Sequence, residues 1–154
     1  MNKKDYIKLA KKSALVQINE LKKINKTFNN SFTNAVDLIL NCRGKVILAG
    51  IGKSGLIARK ISATLSSIGV PSFFCDPAQA LHGDMGQIEK KDILIVLSYS
   101  GNTAELGNML KFADRYRIKI IGISSKSDSI LLKASDIKLI LPKVRESDIT
   151  GMVP

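Results

Sequence analysis

The stretch Asp92–Ser98, DILIVLS, is apolar at every position between its two ends. It breaks into a hydroxyl- and glycine-rich loop, SYSGNT, before a helical pattern runs from Ala104 to Tyr116. A strand without a polar side must be covered on both faces, which is the signature of a parallel sheet between two layers of helices. The alternation recurs. Lys45–Ala49 is an apolar run followed by a glycine loop and a helix from about Ser54 to Ile68, stopped by Gly69. Val70–Cys75, Ile118–Ser124 and Ile137–Leu141 read as further strands, with Ser129–Ala134 as a short helix between the last two. The expectation is an α/β protein, a three-layer αβα sandwich on a five-stranded parallel sheet of flavodoxin or Rossmann type. Right-handed crossovers then bring every strand-to-helix loop to the C-terminal sheet edge. There the glycine loop, Asp76–Asp84, the serine loop and Ser124–Asp128 should converge.

Two helical patterns precede the first strand. In residues 1–26, Ile7, Ala10, Ala14, Ile18, Leu21 and Ile24 recur at helical spacing, and Asn29–Cys42 carries Phe32, Ala35, Val36, Leu38, Ile39 and Leu40. Residues 1–43 are therefore expected to be N-terminal helices packing on the domain or on a partner subunit, and 44–154 the α/β domain. The net charge of +11 is uneven, because residues 1–26 hold eight lysines against Asp5 and Glu20. Aromatics make up only 5% of the chain, so platforms for stacking bases are scarce and nucleic-acid binding is not expected. Attraction of anionic substrates is the better use of the charge. No apolar run reaches the roughly 18 residues of a membrane helix, and the N-terminus lacks a secretory pattern. A cytoplasmic protein is expected, with Cys42 and Cys75 as unpaired thiols in no metal-binding spacing.

Gly50-Ile51-Gly52-Lys53-Ser54-Gly55 fits G-x-G-x-x-G, with Asp76 near the place of a ribose-binding acid. Lys53 suits that reading poorly, and a Walker loop is excluded because Ile47 stands where its first glycine belongs. A lysine desolvated in a glycine loop costs stability unless it meets an anion. In the serine loop, Ser98, Ser100 and Thr103 flank Gly101 just before a helix. Capping that helix needs one hydroxyl, so three favour a phosphate cradle.

Together these loops carry a resemblance. SYSGNTAEL resembles the S-x-S-G-x-[ST] phosphate loop of SIS (sugar isomerase) domains, which also fits the fold expected above. GIGKSGLIARK with PSFFCDPAQALHGDMGQI is similar to the KpsF/GutQ-type arabinose-5-phosphate isomerases. The resemblance runs from about Lys45 to Pro154. It implies interconversion of D-ribulose 5-phosphate and D-arabinose 5-phosphate through an enediol, toward the 3-deoxy-octulosonate of lipopolysaccharide, with no cofactor required. It implies catalytic roles for Lys53, Glu105, Glu146 and His82, the base being Glu105 or Glu146. Gly52, Ser54, Gly69, Val70, His82, Ser98, Ser100, Gly101, Asn102 and Thr103 would contact the substrate or its phosphate. A homodimer or homotetramer with a small pentose phosphate as ligand is implied, without nucleic acid or membrane as partner. Asp76 stands where many members have a metal-linked histidine, so no metal site is expected, and Asn102 stands where glutamate is usual. The family continues beyond TGMVP into closing helices with one more catalytic histidine, and often into CBS domains. Little turnover is expected of this chain alone. The alternatives are a non-catalytic phosphosugar sensor or another SIS phosphosugar isomerase.

Overall fold

The computed structural model describes residues 3–145. The chain divides into two compact units, Met1–Phe28 with Pro142–Pro154, and Asn29–Leu141. In the first, α1 (Lys3–Leu21) runs into a 3-10 turn, Lys22–Thr27. The Glu20 carboxylate pairs with Lys23 and accepts the Arg145 backbone N–H at 2.9 Å. Those partners, Lys23 first, hold its pKa below the ordinary value.

The second unit contains α2 (Asn30–Leu40), β1 (Val46–Gly50), α3 (Gly52–Ser67), β2 (Ser72–Phe74) and β3 (Ile93–Leu97). It continues with α4 (Leu106–Tyr116), β4 (Lys119–Ser124), α5 (Ile130–Ala134) and β5 (Ile137–Ile140). All strand pairs are parallel, in the order β2-β1-β3-β4-β5. This is the expected three-layer sandwich. Helix α2 packs on the sheet: Ala35 is buried, and Leu38 and Ile39 pack into the same cluster as Val46 and Leu48.

The strand sequences are apolar throughout because neighbouring residues serve opposite layers. Val46, Leu48, Ile93, Ile95 and Ile121 pack with α2 and α3, while Ile47, Ala49, Leu94, Val96 and Ile120 pack with α4 and α5. Each large aliphatic side chain fully buried this way contributes about 1.5–3 kcal/mol. Strand β2 is shorter than the apolar run suggests. Val70 is used to end α3, its N–H donating to Leu65 O at 3.0 Å, while Gly69, at φ +89°, donates to Ser66 O at 3.1 Å. That pair of bonds is a Schellman stop.

The N-terminal sheet edge is fastened by two carboxylates. Asp92, 2% exposed, accepts Lys45 N–H and Glu89 N–H, both at 2.8 Å, and lies 3.3 Å from the Lys45 ammonium. A Cβ on Gly44 would overlap that carboxylate and come within 2.7 Å of Lys91 O, so only glycine fits there. Asp136 accepts Ile120 N–H at 2.9 Å and bonds the Lys119 ammonium at 2.6 Å. Among the described residues no helix is long and apolar enough to cross a membrane.

Candidate functional site

The strand order reverses direction at β1: β2 lies on one side of it and β3 on the other. Gly50 at the end of β1 is in register with Leu97 at the end of β3. The helices that follow, α3 and α4, pack on opposite faces. A crevice opens at such a switch point, outside the carboxyl ends of the strands, and ligands of open α/β sheets bind there.

The glycine loop forms one side. A Cβ on Gly50 would sit 3.0 Å from Leu97 O, and one on Gly55 would sit 2.7 Å from Gly50 O. Gly52 has φ +57°. Two glycines thus allow close backbone packing and one makes the turn, so the G-x-G-x-x-G pattern follows from strand–turn–helix geometry. Helix α3 starts at Gly52, earlier than expected, and its Ile51 N-cap supplies no side-chain acceptor.

The serine loop forms the other side. Ser98, 5% exposed, accepts Gly101 N–H on its hydroxyl at 3.1 Å and shares a 2.9 Å hydrogen bond with the Thr103 hydroxyl. Ser100 Oγ accepts Asn102 N–H at 3.3 Å. None of the three caps α4, whose N-cap position is Glu105 with no side-chain bond. The N–H groups of Thr103, Ala104 and Glu105 have no acceptor within the described residues. The contrast with the other helices of this unit is informative. Asn29 caps α2 and Ser129 caps α5, whereas α3 and α4, which start on either side of the crevice, are left uncapped. Unpaired donors at two helix N-termini attract an anion.

The serine loop is braced from the connection between β4 and α5. Tyr99 O accepts Ser124 Oγ, Ser125 N–H and Ser125 Oγ at 3.1, 3.0 and 2.8 Å. Gly101, at φ +65°, packs so closely that a Cβ would overlap Ser129 and lie 2.6 Å from Ser124 Oγ. Sequence reasoning brought Ser124–Asp128 to this edge but named neither Ser124 nor Ser129 as a site residue. The available signal was the serine-rich segment SSKSDS directly after an apolar strand.

The other candidates divide into three groups. Lys53 lies in the first turn of α3 and Glu105 at the head of α4, both exposed at the crevice edge of the sheet. Lys53 is therefore not the desolvated lysine expected from the glycine loop. Gly52 and the half-buried Ser54 share its turn. His82, exposed, ends a 3-10 turn, Ala80–His82, in the loop after β2, and the fully buried Ala80 anchors that turn in the core. Gly69 and Val70 form the second group. They end α3 at the opposite edge of the sheet, where Pro71 O receives Val46 N–H, and do not join the crevice. Glu146 lies outside the described residues.

Asp76 is engaged locally rather than available for a ribose. It accepts Ala78 N–H at 3.0 Å and lies 4.0 Å from Arg59, whose guanidinium stacks 4.0 Å from the Phe74 ring centroid. Among the described residues no three His, Cys, Asp or Glu side chains are grouped to hold a metal ion. The Cys75 thiol is pushed up to about 11, first by burial and then by the charges of Asp84 and Asp76, so it is a poor nucleophile. A cavity of ≈ 550 Å³ lies at the other end of the sheet, bounded by Lys90, Arg117, Lys119 and Asp136. No strand-to-helix loop contributes to it.

Comparison with known proteins agrees with this geometry. The SIS domain model matches residues 39–153. The arabinose 5-phosphate isomerase KpsF of Escherichia coli O6:H1 is 41% identical over 146 residues, covering 95% of this chain and 43% of the relative. A probable arabinose 5-phosphate isomerase of Haemophilus influenzae is 37% identical over 150 residues, covering 97% and 44%. The chain thus spans under half the length of these relatives. A protein of E. coli CFT073, solved in complex with arabinose 5-phosphate, superposes with TM-score 0.88 at 36% identity, covering 100% of this chain and 82% of that one. A parallel sheet with its two uncapped helices at the switch point, a hydroxyl-lined loop after β3 and these matches lead to one conclusion: the chain belongs to the SIS domain family.

Proposed function

We propose that this chain carries the isomerase domain of an enzyme interconverting D-arabinose 5-phosphate and D-ribulose 5-phosphate. The observation that carries the reading is the serine loop, where three unpaired N–H groups and the Ser98, Ser100 and Thr103 hydroxyls stand at the head of an uncapped helix. That is a cradle for a phosphate dianion. The likeness to KpsF and to the structure holding arabinose 5-phosphate supports the choice of pentose phosphate.

With the phosphate held at α4, the sugar extends along the crevice toward α3. A base removes the C1 proton of the ketose, the electrons move into an enediolate, and the proton is returned at C2 while another passes between O1 and O2. Nothing is oxidised or reduced overall, so the reaction requires no cofactor. Lys53, a cation beside the α3 N-terminus, is assigned to stabilising the enediolate oxygen. Glu105 or Glu146 is assigned to the carbon proton, and His82 to the sugar hydroxyls. The soluble pentose phosphate makes the cytoplasm the working compartment, with the product feeding 3-deoxy-octulosonate synthesis. Neither nucleic acid nor membrane has a part in the reading. A homodimer or homotetramer is proposed from the exposed apolar residues Ile7, Ile18 and Leu21 of α1.

The test is proton exchange. Ribulose 5-phosphate incubated in heavy water with this domain carried in a chain of its relatives' length should gain deuterium at C1. Lys53→Ala should slow this by about 10²- to 10³-fold, the usual cost of an oxyanion donor. Phosphosugar binding without any exchange would favour a sensor instead.

A further inference from the structure

Lys53 and His82 reach the C-terminal sheet edge from different segments, Lys53 on the first turn of α3 and His82 in the loop after β2. Between these segments lies a stack. The half-buried Phe74 ring, at the end of β2, leans on α3, its Cζ 3.5 Å from where a Cβ on Gly55 would stand. The Arg59 guanidinium covers that ring, 4.0 Å from its centroid, and lies 4.0 Å from Asp76 Oδ2. Asp76 in turn heads a run of hydrogen bonds that ends at His82. Its Oδ1 accepts Ala78 N–H at 3.0 Å, and its carbonyl accepts the Gln79 and Ala80 N–H groups at 3.1 and 2.8 Å. Gln79 O then accepts His82 N–H at 2.9 Å.

We propose that Arg59 is a positioning residue that ties the His82 loop to the helix bearing Lys53. The inference rests on the isomerase reading above, in which Lys53 meets the enediolate oxygen and His82 the sugar hydroxyls. Both contacts fall on one small substrate only if α3 and the loop keep a fixed separation. Pro77 and Ala80 are buried and set the depth of the loop against the core. Arg59 supplies the sideways contact with α3. An arginine suits the task, because its planar guanidinium stacks on an aromatic face and still presents edge N–H groups to a carboxylate. The side chain is 59% exposed, so removing it leaves no cavity in the core.

The experiment measures kcat and KM for ribulose 5-phosphate with this domain carried in a chain of its relatives' length. The variants are Arg59→Ala, Asp76→Asn, His82→Ala and the double variant Arg59→Ala with His82→Ala. Amide hydrogen exchange at Ala78 and His82 is read on wild type and Arg59→Ala without ligand. Arg59→Ala should speed exchange at both amides and raise KM about 3- to 10-fold, the scale of one exposed ion pair plus one cation–π contact. Its kcat should stay within about twofold of wild type, the pattern of a lost ground-state contact. Asp76→Asn keeps an acceptor for Ala78 N–H but drops the charge, and should raise KM in the same direction. In the His82→Ala background, Arg59→Ala should change KM no further. The proposal is overturned if Arg59→Ala leaves Ala78 exchange or KM at the wild-type level, lowers kcat instead, or raises KM as much without His82 as with it. A wild type that neither binds nor isomerises ribulose 5-phosphate would remove the isomerase reading, and faster Ala78 exchange in Arg59→Ala would then support the tie to α3 by itself.

Discussion

Asp92 and Asp136 have related tasks at the starts of strands, each joining backbone N–H groups to a lysine from another part of the chain. For Asp136, burial pushes the pKa up, but the Lys119 ammonium and the Ile120 N–H together outweigh it and hold the group below its ordinary value. A depressed carboxylate stabilises the fold fully above its unfolded pKa, and that contribution fades as pH falls through the lower folded value. Asp136→Asn should therefore lower the urea midpoint at pH 7, with the difference from wild type shrinking toward pH 3. Its size should be modest, under about 1 kcal/mol, because the pair is solvent-accessible. A difference that grows on acidification would contradict the assignment. Neither carboxylate's role could be read locally. Asp92 looks like the first residue of an apolar strand, and its meaning depends on Lys45, 47 positions away.

At the scale of elements, helix ends separate structural from functional termini. Gly69 matched a substrate-contact position by resemblance, but in the structure it is the left-handed residue of the α3 stop. A Cβ there would meet nothing within 4 Å, so Gly69→Ala carries backbone strain alone. The expected cost is about 1–2 kcal/mol, seen as a lower Tm. The KM for ribulose 5-phosphate, the substrate proposed above, should be unchanged, since the residue lies at the edge away from the crevice. A tenfold rise in KM would return Gly69 to the site. The strands were legible because apolar runs with no polar side leave few alternatives. The start of α3 was not, because Gly52 and Lys53 give no local helix-start signal, and α3 begins there through the packing of Gly55 on Gly50.

At the scale of the molecule, apolar surface indicates what the single chain leaves unburied. On α1, Ile7, Ile18 and Leu21 are 59%, 52% and 67% exposed. On α2, Val36 and Leu40 are also exposed, at 37% and 76%. Such surface at helical spacing fits association of copies. Light scattering should return two or four times the 16.8 kDa chain mass. A mass of one chain at about 50 µM would count against the oligomer, while Ile18→Lys should shift an oligomer toward smaller species.

The sequence by itself determined the layer architecture, the order of strands and helices along the chain, and the two loops that belong to the site. Periodicity and loop composition are local properties, and right-handed crossover chirality carries them to one sheet edge. Tertiary structure decided which residues stand together there. Backbone register set Gly50 against Leu97, and α5 captured Asn102 and Gly101. It also exposed Lys53 and moved Gly69 and Val70 to the far end. Those outcomes depend on contacts between segments far apart in the chain, which no local pattern encodes.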